Sequence, residues 1–210
     1  MVPYLIEFIG TFFLVLTIAL TADPIAIGAI LIAMIYMGGY ISGAHFNPAV
    51  TLAVFIRGKI DMQTAIRYMI VQIVAGLVAA LVYEIIKGSL FVPAPAAGVK
   101  LYSAYVIEFL FTFALGSVVL NVATSDRVKG NYYYGIAIGL TIMAAAFAGG
   151  SVSGGVYNPA VAIGPLLADA NNTVKHLPHL VLYIVAPMLG GTAAGYFYKM
   201  IHPEASKSAM

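Results

Sequence analysis

The sequence predicts an all-α membrane protein: six transmembrane helices plus two re-entrant half-helices, in two inverted three-helix repeats. Three observations lead there. Of 210 residues, 62% are apolar and only 9% charged, against about 25% charged in an ordinary soluble domain. The apolar residues fall into six runs, each close to the ~20 residues that cross a ~30 Å hydrocarbon slab. The second half of the chain also repeats the first, down to an Asn-Pro-Ala triplet in each half. Residues 1–210 are therefore expected to form one transmembrane domain, with repeat 1 over about 1–92 and repeat 2 over about 101–203.

Composition also excludes other classes. A net charge of +2 spread over so apolar a chain supplies no basic face for nucleic acid. Without cysteine there is neither a disulfide framework nor a thiolate metal site, and no metal or other cofactor is expected. The few polar side chains offer no nucleophile, base and orienting acid that could assemble into an enzyme site. The expected partners are membrane lipid and whatever the membrane domain conducts.

The elements follow in order. The first apolar run, Tyr4 to Leu20, has no basic segment before it and no small-residue cleavage site after it, so it is read as a retained span. Asp23-Pro24 breaks the chain before the second run, Ile25 to Ile41. A Gly/Ser-rich stretch then leads to Asn47-Pro48-Ala49. Asn is a favoured N-cap and Pro is preformed for the first helical position, so a new helix starts there. It runs to Arg57, and ten residues at 1.5 Å each span about 15 Å, half of the slab. Such a helix enters halfway and stops. Gly58 to Asp61 precede the third run, Ala65 to Ile86, and Pro93-Ala94-Pro95 the fourth, Tyr102 to Ala123. Asp126 to Lys129 lead to the fifth, Tyr132 to Ala148; a second Gly/Ser-rich stretch leads to Asn158-Pro159-Ala160; Asp169 to Lys175 precede the sixth, Leu177 to Ile201. Six crossings put both termini on one side. That side would carry Arg57, Lys59, Arg67, Arg127, Lys129, Lys199 and Lys207, and the other only Lys87, Lys100 and Lys175. The excess of basic residues predicts cytoplasmic termini in a multi-pass protein of the cell membrane.

The repeat spans three blocks. Tyr4, Glu7, Phe8, Thr11 and Phe12 recur 101 positions later as Tyr105, Glu108, Phe109, Thr112 and Phe113. Gly38, Gly39, Ser42, Gly43 and Asn47 to Val50 recur 111 positions later as Gly149, Gly150, Ser153, Gly154 and Asn158 to Val161. Ala75-Gly76 and Ala79-Ala80 align with Gly190-Gly191 and Ala194-Gly195. Each copy holds three spans, and three is odd, so the second copy lies upside down in the bilayer. The half-helices from Pro48 and Pro159 then enter from opposite faces and meet near the midplane.

Non-helical backbone at that depth is tolerated only inside protein or along a wet cavity, which argues for a pore. Each Asn oxygen would cap its helix while its amide N–H groups point into the shared space. Two helix N-termini, each about half a positive charge, repel cations. The unwound carbonyls of Gly43, Ala44, His45, Gly154 and Val156 would accept hydrogen bonds from a neutral permeant. Inverted repeats with broken helices also build ion-coupled secondary transporters. That reading needs titratable or ion-coordinating groups along the route, and the broken segments offer two Asn and one His.

These residues, with the Glu-Phe-x-x-Thr-Phe start of each half, closely resemble the aquaporin, or major intrinsic protein, family over essentially the whole chain. The resemblance implies a pore in each protomer of a homotetramer, passing water and small neutral solutes. It also implies an outer constriction at Ile27, Ala146, Gly155 and Val161. Strict water channels of the family carry an Arg, a His and an aromatic at this ring, and this chain has none of them, so a wide, apolar constriction is expected. The run 158–165 resembles that of plant tonoplast intrinsic proteins, which implies ammonia, urea, glycerol or hydrogen peroxide beside water. Glu7 and Glu108, costly if unpaired in a membrane, would hold the loops entering the half-helices, as their equivalents do in aquaporins.

Overall fold

The computed structural model describes residues 1–203, so Lys207 of the charge count lies outside it. Eight α-helices are described: α1 (Val2–Thr21), α2 (Pro24–Ser42), α3 (Pro48–Arg57), α4 (Met62–Lys87), α5 (Leu101–Ala123), α6 (Tyr134–Ser153), α7 (Pro159–Ala168) and α8 (Thr173–Ile201). Six are long and apolar enough to cross a membrane, and α3 and α7 have ten residues each. Exposed Ile66, Ile85, Leu110, Leu140, Phe147 and Leu189 show that the outer faces of the long helices are apolar, as lipid requires.

Helix ends reach past the apolar runs wherever a cap or a turn of polar helix extends them. Asp61 accepts from the Thr64 backbone N–H at 2.7 Å and starts α4 three residues before Ala65. At the start of α2, Asp23 accepts from the backbone N–H groups of Ile25 and Ala26. α8 begins at Thr173 and carries Lys175 and His176 in its first turns, where a hydropathy pattern shows only a break. α6 continues through Gly149-Gly150 to Ser153.

Packing follows the repeat. α1 lies on α4 and α5 on α8, while α2 crosses α6. At that crossing a Cβ on Gly28 would lie 2.8 Å from the Gly139 carbonyl oxygen, and one on Gly139 2.7 Å from that of Gly28. Each half-helix packs most extensively on the last span of the other repeat, α3 on α8 and α7 on α4. Glycines permit it: a Cβ on Gly76 would sit 2.3 Å from the Ala160 oxygen, and one on Gly191 2.2 Å from the Ala49 oxygen. Beyond these contacts, the Arg57 guanidinium at the end of α3 lies 4.6 Å from the Tyr198 ring centroid on α8, a cation where a helix C-terminus favours one.

Candidate functional site

The segments entering α3 and α7 are held in left-handed backbone. Gly43 and Gly154 both have φ 89°, Ala44 51°, Gly155 68°, Phe46 50° and Tyr157 48°. A non-glycine residue in this region costs on the order of 1–3 kcal/mol and persists where its surroundings over-determine it. The buried carboxylates do so here. Glu7 accepts from Ser42 Oγ (2.7 Å), His45 N (3.0 Å), Phe46 N (2.7 Å) and Gln72 Nε2 (2.9 Å). Glu108 accepts from Ser153 Oγ (2.6 Å), Val156 N (2.9 Å) and Tyr157 N (2.6 Å). Tyr68 and Tyr183 complete the match by donating to the Ser42 and Ser153 carbonyls.

The asparagines do two things. Asn47 Oδ1 accepts from the backbone of Ala49 (2.8 Å) and Val50 (3.5 Å), and Asn158 Oδ1 from that of Ala160 (3.0 Å), capping α3 and α7. Pro48 and Pro159 open the two helices behind them, and Ala49 and Ala160 are fully buried. Asn47 Nδ2 also donates to the Tyr157 carbonyl and Asn158 Nδ2 to that of Phe46, both at 2.9 Å. These reciprocal bonds lock the two half-helix starts end to end. Each amide keeps one further N–H.

Both asparagines line a narrow internal cavity of about 30 Å³, large enough to hold water. Its wall divides completely into repeat-related pairs. Leu14 pairs with Leu115 and Ile18 with Val119; Ile27 pairs with Ile138, and Leu31 with Ile142. The half-helix segments add Ala44 with Gly155, His45 with Val156, Asn47 with Asn158, and Val50 with Val161. The helical members come at i, i+4 spacing, on one face of each helix. A larger cavity of about 520 Å³ lies on the side of the termini, bordered by Ser42, Gly43, His45, Lys59, Asp126 and Tyr134.

Two of the expected site residues, Ala146 and Gly154, border neither of these cavities. The constriction positions Ile27, Gly155 and Val161 lie in the cavity wall, but Ala146 does not: it is buried behind Gly155, whose Cβ would lie 3.6 Å from the Ala146 Cα. Apart from His45 and the two asparagines the wall is apolar, with isoleucines and leucines contributed by four helices. Among the residues expected to offer carbonyls, Ala44, His45 and Val156 border the narrow cavity and Gly43 the larger one. Gly154 turns instead against the loop before α5, where a Cβ would meet the Ala94 oxygen at 2.8 Å. The neighbouring Phe46 and Tyr157 carbonyls are already engaged by the asparagines.

Sequence reasoning missed the aliphatic wall, although the repeat spacing extends to it. It also missed a one-sided polar network. Gln72 Nε2 donates to Thr51 Oγ1 (3.0 Å), Thr51 donates to the Asn47 carbonyl (3.0 Å), and His45 Nδ1 lies 3.2 Å from Thr51 Oγ1. The repeat-related positions are Pro187, Ala162 and Val156, so the other half has no counterpart.

The description of the major intrinsic protein family matches residues 20–198. Aquaporin NIP1-4 of Oryza sativa subsp. japonica is 37% identical over 212 residues, which cover 94% of this chain and 76% of that one. Aquaporin TIP1-1 of Arabidopsis thaliana is 38% identical over 185 residues, 86% and 71% of the two chains. The X-ray structure of the aquaglyceroporin from Plasmodium falciparum superposes with a TM-score of 0.78 at 21% identity, covering 97% of this chain and 99% of that one.

Proposed function

Because the chain belongs to the major intrinsic protein family of membrane channels, we propose that it passes water together with small neutral solutes, the candidates being ammonia, urea, glycerol and hydrogen peroxide. Channels of this family are not enzymes, and flux runs passively down each solute's gradient. The observation that carries the reading is the cavity shared by Asn47 and Asn158. Each Asn spends one N–H on the opposite loop and keeps one to donate to a permeant; the Ala44, His45 and Val156 backbone supplies acceptors. Pro48, Ala49, Pro159 and Ala160 hold the two amides in place, and Glu7 and Glu108 hold the loops.

Selectivity is assigned to Ile27, Gly155 and Val161, with Ala146 setting the seat of Gly155. No donor side chain stands at that ring, so a solute crosses it by shape and by its tolerance of lost hydration. Cations are opposed by the facing N-termini of α3 and α7, each carrying about +0.5 charge. The excess of basic residues on the side of the termini supports a cytoplasmic assignment for that side, and a homotetramer in the cell membrane is the inferred assembly.

Stopped-flow light scattering on proteoliposomes tests the reading with water, urea and glycerol gradients. Permeability above that of empty vesicles, unchanged by an imposed Na⁺ or H⁺ gradient, is expected. Vesicles no more permeable than empty ones overturn the channel, and flux driven by an ion gradient replaces it with a coupled transporter.

A further inference from the structure

Resting on that reading, we propose that solutes are filtered twice, by the ring at Ile27 and Val161 and by its symmetry copy at Ile138, Val50 and Ala44, on the other side of the asparagines. Each member of the second ring is the repeat partner of a member of the first, and all of them line the same cavity. Val50 stands three residues after Asn47, as Val161 does after Asn158, so both valines occupy the first turn of a half-helix.

Helix direction puts the rings in opposite halves. α2 begins on the face away from the termini and α6 on the face of the termini, because they are the second and fifth of six spans. A long helical side chain leans toward the start of its own helix, so Ile27 leans to one face and Ile138 to the other. Gly28 and Gly139, the residues directly after them, approach so closely that an added Cβ on either would meet the other's carbonyl oxygen, so each isoleucine stands one residue before a shared crossing point. Each is 6% exposed.

The second ring is no more open than the first. Ala44 brings a methyl group where Gly155 has none, and Val50 matches Val161 in size. His45 also lines the cavity, its Nδ1 3.2 Å from Thr51 Oγ1, so one imidazole stands beside the three aliphatic members of this ring.

Two similar barriers in series have a definite signature. Removing one can at most about double the flux, while removing both releases it from either limit. The test uses the full chain in proteoliposomes, as wild type, Ile27→Ala, Ile138→Ala and the double variant, with water, glycerol and the bulkier erythritol as permeants. Glycerol and erythritol flux is expected to rise by about twofold or less in each single variant and by about tenfold or more in the double. A full gain from Ile27→Ala alone, with none from Ile138→Ala, overturns the second filter. So does a double variant no faster than the better single one. Should an alanine variant lose water permeability, Ile27→Val, Ile138→Val and their double must give the same more-than-multiplicative pattern at smaller amplitude; additive or absent gains overturn the proposal. Wild-type vesicles impermeable to water would instead sink the channel reading beneath it.

Discussion

Glu7 and Glu108 show how one side chain can fix a backbone that no sequence periodicity encodes. Each carboxylate gathers two consecutive backbone N–H groups and a serine hydroxyl, and a glutamine could supply only one accepting oxygen in its place. Glu7→Gln or Glu108→Gln therefore leaves at least one buried N–H without an acceptor, at a cost of about 1–3 kcal/mol. Both variants are expected to melt earlier in detergent and to pass less water. A proton-relay role predicts the opposite pattern, with stability kept and water flux unchanged. The acids and their serine partners are legible in the sequence because they recur at fixed offsets. The asparagine-to-carbonyl cross-bonds are not, since Phe46 and Tyr157 accept through backbone atoms that any residue possesses.

At the scale of elements, the six spans are legible because lipid demands apolar runs, and the half-helices because Asn-Pro marks where each begins. Which face of a span looks inward is not. Ile25 is 58% exposed and Ile27 only 6%, yet the two residues are chemically identical, and a helix that is apolar all round gives its pattern no preferred side. Small residues carry that information better. Gly76 and Gly191 lie where α4 and α8 touch the backbone of α7 and α3, so an added methyl group must push a half-helix away from its partner. Gly76→Ala and Gly191→Ala are expected to lower water permeability several-fold and to destabilise by roughly 1–3 kcal/mol, the cost of overpacking. Gly150, with nothing within 4 Å of its Cβ position, is the control. Gly150→Ala should leave flux unchanged and gain up to about 1 kcal/mol in helix propensity.

For the whole molecule, the absence of a charged side chain at the Val161 ring is expected to set the ratio of solute to water flux. Val161→Arg would add bulk and a fixed positive charge to a cavity of about 30 Å³. Glycerol and urea flux should fall by about tenfold more than water flux, a difference of about 1.4 kcal/mol in barrier height. Equal losses for all three permeants, measured in the same vesicles, would remove Val161 from the selectivity ring. A wide ring is what small side chains suggest when read singly. Which large side chains stand beside them, Ile18, Ile27 and Ile142 from three different helices, is decided only in the assembled fold.

The exchange of half-helices between repeats has a consequence for how the molecule can come apart. α3 lies in a groove provided by residues more than a hundred positions later, and α7 in one provided by residues far earlier. Neither half of the chain owns a finished wall: severed in the loop ahead of α5, each fragment would carry one plug without its socket and one socket without its plug. The passage belongs to the embrace of the two halves, and change on either side of it is answerable to the other.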